Sequence, residues 1–302
     1  MFRSLIFVPG NSTRFVEKAK SLAADIVCFD LEDSVPLNEK GSARKIISDA
    51  LAQRQQYRAS VYVRTNSPES GLASEDLAAV VREGLDGVVI PKVNDEQEIM
   101  EIVKQVASLE KLENPDSSNK PPLLNIMPSI ETARGVVNAY RIASADDRIN
   151  CLVFGVFDFL HDMKLDYEEG EPASYSYARA KVPVDARAAG IDAIDGIWQK
   201  LDDAEGLVRD ASMARRLGYS GKSIIHPSQI EPVHGVFLPS RNQVEWAKKV
   251  VAALGDAMEK GSGRGAVSLE GMMIDAVHYK QAKAILDTTA AADAAGNEKP
   301  PA

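Results

Sequence analysis

Ile26-Val27-Cys28-Phe29-Asp30-Leu31-Glu32-Asp33 is the stretch whose reading decides the fold: a short β-branched and aromatic run that ends abruptly in acid. It is too brief for a helix and reads as a buried strand that stops at its polar residues. Seven further runs share this form, at residues 4–9, 60–65, 87–92, 123–131, 151–158, 191–195 and 222–227. Between them lie stretches with apolar residues at helical spacing, such as 95–109 and 204–217. Eight such units in succession predict an α/β fold, a closed (β/α)8 TIM barrel, rather than an open sheet. The length of 302 residues suits one barrel with extensions, since a barrel of this kind takes about 250.

Polar residues gather at one end of these runs. From the second to the eighth they finish on Asp30 to Asp33, Arg64, Lys92, Glu131, Asp158, Asp195 and His226. In a closed barrel these ends form a single mouth, where catalytic groups sit. Glu131 and Asp158 end adjacent staves, and two neighbouring carboxylates suit a hard cation such as Mg²⁺, with water and substrate oxygens completing the octahedron. The alternative is that one of them pairs with Arg64 or Lys92. The four histidines show no zinc-ligand spacing. Arg64 closes an otherwise apolar strand, and its planar fork suits a substrate carboxylate or a developing enolate oxygen. A pair with Glu32 is the competing reading, and Glu32 could also orient Arg64 while Arg64 binds substrate.

The bulk numbers set bounds. A net charge of −9 disfavours a nucleic-acid surface. No apolar run approaches the ~20 residues of a membrane span, so no membrane partner is expected. The N-terminal apolar stretch meets Pro9-Gly10 at once, too short for a secretory signal, so a cytoplasmic location is expected. Cys28 and Cys151 lie inside strand-like runs and read as small buried hydrophobes. The expected division is a barrel over 1–235, a helical arm or lid over 236–287 and a disordered tail over 288–302. Within the arm, helices over 241–257 and 271–286 flank a glycine-rich hinge, Gly261-Ser262-Gly263-Arg264-Gly265. Surface loops are expected over 111–122 and, beside the mouth, 163–172. The first βα loop opens a helix with Ser12 as a cap, and Arg14, Lys18 and Lys20 follow. That pattern suits a phosphate or is simply a solvated basic face.

An ordered set of motifs carries a resemblance. It comprises Arg3-Ser4-Leu5-Ile6-Phe7-Val8-Pro9-Gly10, Phe29-Asp30-Leu31-Glu32-Asp33-Ser34-Val35, Val63-Arg64-Thr65-Asn66 and Ile90-Pro91-Lys92. It continues through Pro128-Ser129-Ile130-Glu131-Thr132-Ala133, Phe154-Gly155, Ile225-His226-Pro227-Ser228-Gln229-Ile230 and Gly271-Met272-Met273-Ile274-Asp275. Each is weak alone; in order, over roughly residues 3 to 286, they resemble the citrate lyase β-subunit family, with its malyl-CoA and citramalyl-CoA lyases, among the pyruvate-type aldolase barrels.

The resemblance implies a Mg²⁺-dependent (Mn²⁺ is also possible) carbon–carbon lyase acting on a 3-hydroxy-3-carboxyacyl-CoA, releasing a 2-oxo acid and an acyl-CoA. Glu131 and Asp158 match the metal ligands and Arg64 the catalytic arginine. Asp275 matches a carboxylate that a C-terminal arm brings to a neighbouring subunit, which implies a homo-oligomer, a trimer or hexamer. Arg14 and Lys20 become the candidates for coenzyme A. Phe157 stands where many members carry an acid, and either narrows the substrate pocket or packs under the loop. Alternative readings are a citrate lyase β-subunit using an acyl-carrier-protein thioester, a CoA-independent pyruvate aldolase, and a non-catalytic CoA- or metal-binding regulator. The acyl group stays open, because a hydrophobic pocket separates one methylene by only ~1–3 kcal/mol.

Overall fold

A computed structural model describes residues 2–113, 123–166, 174–259 and 266–294. Eight parallel strands close into one barrel in sequence order. In chain order the elements are β1 (Ser4–Pro9), α1 (Thr13–Ala19), β2 (Ile26–Asp30), α2 (Lys40–Leu51), β3 (Ser60–Arg64), α3 (Ala73–Val80), β4 (Gly87–Ile90), α4 (Glu96–Glu113) and β5 (Asn125–Ile130). They continue with α5 (Ala133–Ala143), β6 (Cys151–Phe154), α6 (Val156–Asp162), α7 (Ser176–Ala188), β7 (Asp192–Asp195), α8 (Ala204–Leu217), β8 (Gly221–Ile224) and α9 (Ile230–Phe237). Packing divides the chain into two units, Met1–Val233 and His234–Ala302. No helix among the described residues is long and apolar enough to cross a membrane.

Side-chain alternation fills the barrel. Ile26, Cys28, Tyr62, Val89, Met127 and Val153 belong to one fully buried cluster, because strand residues two apart share a face. Both cysteines are free and buried within it, where they act as small apolar groups. On the same alternation Asp30 and Arg64 follow Cys28 and Tyr62 on the inner face, and strand register pairs them directly. Local caps fix the strand exits. Thr132 Oγ1 accepts from Gly135 N at 2.9 Å to start α5, and Asp203 accepts from Gly206 N at 2.7 Å to start α8.

Several strands stop sooner than their apolar runs suggest. β5 ends at Ile130 and β6 at Phe154, so Glu131 lies just past its strand and Asp158 lies in the first turn of α6. The run over 151–158 is a strand, a Gly155 turn and a helix start, all apolar enough to read as one. Residues 288–294, expected as tail, belong to the last helix, whereas 295–302 lie outside the described residues, as do the hinge at 261–265 and most of the loops expected over 111–122 and 163–172.

The second unit contains α10 (Arg241–Glu259), a hairpin of β9 (Ala266–Leu269) and β10 (Met272–Asp275), and α11 (Ala276–Ala294). Residues 272–275 are therefore a strand, not the helix expected over 271–286. They pair antiparallel with 266–269. Gly271 at φ +84 completes the turn, a conformation glycine takes without strain. Ala247, Val250, Leu254, Ile274, Tyr279 and Ala282 give this unit its own core.

Candidate active site

The strand ends enclose a cavity of about 470 Å³. Arg64, Glu131, Phe157 and Asp158 all line it, so four of the sequence candidates share one site, with Asp30 and Ser223 beside them. The half-buried Phe157 lines this space.

Charge there is dense and unbalanced. Arg64 grips Asp30 through two parallel bonds, Nε to Oδ1 at 2.6 Å and Nη2 to Oδ2 at 2.8 Å. Its remaining nitrogen, Nη1, lies 3.1 Å from Glu32 Oε2, an ion pair without the alignment of a hydrogen bond. The guanidinium also stacks 4.6 Å from the centre of the Phe7 ring. Lys92 Nζ reaches Glu32 at 2.7 Å and Asp158 at 3.2 Å. Its backbone sits at φ +54, in the left-handed region that few non-glycine residues occupy. From there its own N–H donates to Glu131 Oε1 at 2.7 Å. Five carboxylates, Asp30, Glu32, Asp33, Glu131 and Asp158, thus surround two cations, Arg64 and Lys92.

The protonation equilibria register this excess. Burial pushes the Glu131 carboxyl up to about 8, and the nearby Glu32 and Asp158 carboxylates push the same way. Burial likewise carries Glu32 to about 7 against the pull of Arg64. Asp30 behaves oppositely: burial would raise it, but the Arg64 guanidinium holds it at about 2. Gly155 leaves Glu131 its space, since a Cβ there would stand 2.1 Å from Oε2.

Among the described residues no group of three or more acidic, histidine or cysteine side chains is arranged to hold a metal. Glu131 and Asp158 are the two carboxylates that could hold one, with solvent and substrate oxygens to complete the set. A buried carboxyl whose pKa is raised by burial and neighbouring carboxylates is what a divalent cation would relieve, so the residues present fit such an ion.

Two strand-end residues expected at the mouth stand elsewhere. Asp195 points out of the barrel, because its neighbour Ile194 takes the inner face; it bonds Arg179 of α7 at 2.6 Å and Lys222 of β8 at 2.7 Å. His226 is exposed and caps a short turn with Ser228, Nδ1 to Oγ 2.8 Å. At the C-terminal end of α1, Lys20 Nζ is held by Glu17 at 2.7 Å and Gln53 at 2.8 Å, while Arg14 on the helix is exposed. Asp275 belongs to the second unit. Its Oδ1 accepts from Val277 N at 3.0 Å and lies 2.8 Å from His278 Nδ1, which lowers its pKa.

Asp30 and Lys92 stood among the strand-end polar groups, but the sequence reading gave neither a catalytic or metal-binding role. Asp30 was legible in principle, since inward alternation from Ile26 and Cys28 leads to it and its register partner is Arg64. Lys92 acts through a left-handed backbone that its side-chain type does not advertise.

A carboxylate-rich mouth holding a buried arginine on an eight-stranded parallel barrel defines a metal-assisted barrel enzyme class. The chain belongs to the HpcH/HpaI aldolase/citrate lyase family, whose model matches residues 3–227. It is 36% identical over 274 residues to citrate lyase subunit beta of Leuconostoc mesenteroides, covering 90% of this chain and 88% of that protein. It is 32% identical to a (3S)-malyl-CoA thioesterase of Cereibacter sphaeroides, with 94% and 93% covered. It is also 32% identical to the human mitochondrial citramalyl-CoA lyase, with 93% and 83% covered. Among solved structures, Mycobacterium tuberculosis CitE in complex with magnesium, acetoacetate and coenzyme A matches with a TM-score of 0.78 at 26% identity, covering 96% of this chain and 98% of that one.

Proposed function

We propose that this chain is a divalent-metal-dependent carbon–carbon lyase that cleaves, or in reverse forms, a 3-hydroxy-3-carboxyacyl-CoA. The observation that carries the reading is the surplus of buried negative charge around Arg64, centred on a Glu131 that burial and its neighbours drive to about 8. Relatives named citramalyl-CoA lyase and citrate lyase subunit beta, and a neighbour bound to magnesium and coenzyme A, support it.

Glu131 and Asp158 would hold Mg²⁺ or Mn²⁺, which when bound supplies a Lewis acid for the substrate's carboxylate and hydroxyl oxygens. Asp30 locks Arg64 at the cavity wall, where its guanidinium stabilises the thioester enolate oxygen. Glu32 orients both Arg64 and Lys92. Asp275, delivered from the arm of a neighbouring subunit in a trimer or hexamer, accepts the C3 hydroxyl proton. As that proton leaves, the C2–C3 bond breaks, the hydroxyl carbon becomes the carbonyl of a 2-oxo acid, and the bonding pair passes into the enolate. Protonation at C2 then gives the acyl-CoA. Arg14, and Lys20 once released from Glu17, contact the nucleotide phosphates of coenzyme A. A cytoplasmic location belongs to the same proposal.

The 36% identity to citrate lyase subunit beta favours a second reading, in which the thioester is carried on a protein partner. Purified chain given malyl-, citramalyl- and citryl-CoA, and the same acyl groups on acyl-carrier protein, separates the two. Release of 2-oxo acid from the CoA esters, lost on adding EDTA, is expected. Cleavage confined to carrier-protein esters overturns the CoA reading. Release of free thiol without 2-oxo acid makes the chain a thioesterase like its Cereibacter relative instead.

A further inference from the structure

Lys92 meets both carboxylates proposed for the ion, through two different parts of itself. Its backbone N–H donates to Glu131 Oε1 at 2.7 Å. Its Nζ stands 3.2 Å from Asp158 Oδ1 and 2.7 Å from Glu32 Oε1. The two carboxylates differ in what else fixes them. Asp158 lies in the first turn of α6 and takes its place from that helix. Glu131 lies just past β5, and among the described residues the N–H of Lys92 is the one hydrogen-bond donor on its carboxylate.

That N–H meets Glu131 where the chain turns left-handed, at φ +54. β4 ends at Ile90, level with Pro128 of β5, and Val93 N returns to the same neighbour at Ser129 O, 3.3 Å away. Pro91 and Lys92 stand out of the ladder between these two points. Asn94, itself buried, holds the turn shut: its Nδ2 donates to Lys92 O at 3.2 Å and its Oδ1 accepts from Thr132 Oγ1 at 2.8 Å. Thr132 follows Glu131 in the chain, so the contacts close a ring through Glu131, Lys92, Asn94 and Thr132. A left-handed backbone is costly for a residue that carries a Cβ, and it persists where surrounding contacts over-determine it.

We infer that Lys92 is the positioning residue of the carboxylate pair, and that its left-handed backbone, more than its ammonium, readies Glu131 for a divalent ion. This rests on the ion reading of Glu131 and Asp158 above. A carboxylate already aimed by a rigid donor loses less freedom when it takes an ion, and the ion is held more tightly for it.

Calorimetric titration of Mg²⁺ into the purified full chain, run well below the melting temperature, separates backbone from ammonium. Lys92→Asn and Lys92→Val both remove the ammonium. Asparagine enters the left-handed region readily, whereas a β-branched residue does not. Lys92→Asn should therefore bind Mg²⁺ at least ~10-fold more tightly than Lys92→Val, the scale of left-handed strain released into the loop. If the valine variant does not fold, Lys92→Ala makes the same comparison, with a gap of about fivefold. A Lys92 that serves the fold alone lowers the melting temperature of the variants without separating their affinities. Equal or reversed affinities in folded variants overturn the inference, as does loss of binding in both alike while the unmodified chain takes up the ion. An unmodified chain that takes up no Mg²⁺ overturns the ion reading itself, and this inference with it.

Discussion

Two ionic clusters of the barrel unit use the same residue types to opposite ends. At the mouth, five carboxylates face Arg64 and Lys92. Outside β7 and β8, Asp195 and Asp210 face Arg179 and Lys222, two against two, with contacts of 2.5–2.8 Å. The outer quartet is more buried than the mouth, yet Asp195 is held below the ordinary carboxylate range, because Lys222 and Arg179 overcome the effect of burial. At the mouth Glu131 rises to about 8. Glu131 and Asp195 are both buried; only the charge around them differs in balance. A matched cluster fastens α7, β7, α8 and β8 together, whereas an unmatched one is built to receive positive charge from outside.

The largest expected effect is on turnover at the unmatched cluster. Glu131→Ala or Asp158→Ala should lower metal-dependent cleavage by roughly 10³-fold or more, the scale of losing a preorganised charge at a reacting oxygen. Glu131→Gln should leave the melting temperature unchanged or raise it, since it removes a repelled charge. A variant that unfolds would break the comparison, because it would make the mouth carboxylates a structural set like the outer ones.

Asp275→Asn is the next largest, with turnover down by roughly 10²-fold or more, as for a general base. Asparagine also caps a helix well, so Val277 keeps an acceptor and stability should change by less than ~0.5 kcal/mol. Mixing Asp275→Asn with Arg64→Ala subunits should restore part of the activity. Verified mixed oligomers without any rescue would place Asp275 in its own subunit's site or outside the chemistry.

At the outer quartet the effect moves from rate to stability. Asp195→Asn removes one partner of a buried pair and should destabilise the fold by about 3–5 kcal/mol, read by denaturant melting. Turnover per folded molecule should stay within a few-fold. A thousandfold loss of rate in stable protein would put Asp195 back in the site.

The smallest effect is pH-dependent, and its sign separates the clusters. The folded-state value of Glu131, about 8, lies above its ordinary 4.5, so folded protein binds the proton more tightly. Metal-free protein should therefore lose stability as pH rises from 4.5 to about 8. The lowered value of Asp195 gives stability present above its ordinary 3.8 and lost as pH falls through its folded-state value. Melting temperatures with and without Mg²⁺ should diverge by a few degrees toward high pH. Parallel curves would dissolve the distinction.

Which cluster is which was only partly legible in the sequence. The eight strands were, because apolar runs of four to six residues separated by helical spacing have one economical closure. Glu131, Asp158 and Arg64 were legible as strand-end charges. Asp195 looked the same, and only the alternation of Ile194 inward and Asp195 outward distinguishes it. The partner of Asp195 on α7, Arg179, and the acid on α8 that shares it, Asp210, are set by tertiary packing and carry no sequence signal. Nor does the left-handed backbone of Lys92. The hairpin over 266–275 was missed because Met272, Met273 and Ile274 fit a helix as readily as a strand, until Gly271 is seen to turn the chain.

The most direct measurement is calorimetric titration of the purified chain with Mg²⁺ near pH 8, where Glu131 must ionise to bind it. The unmodified protein should take up one ion per chain with proton release, and Glu131→Gln and Asp158→Asn should each abolish or severely weaken that uptake, while Asp195→Asn leaves it intact. No uptake by the unmodified chain, or uptake undiminished in both mouth variants, would contradict the account.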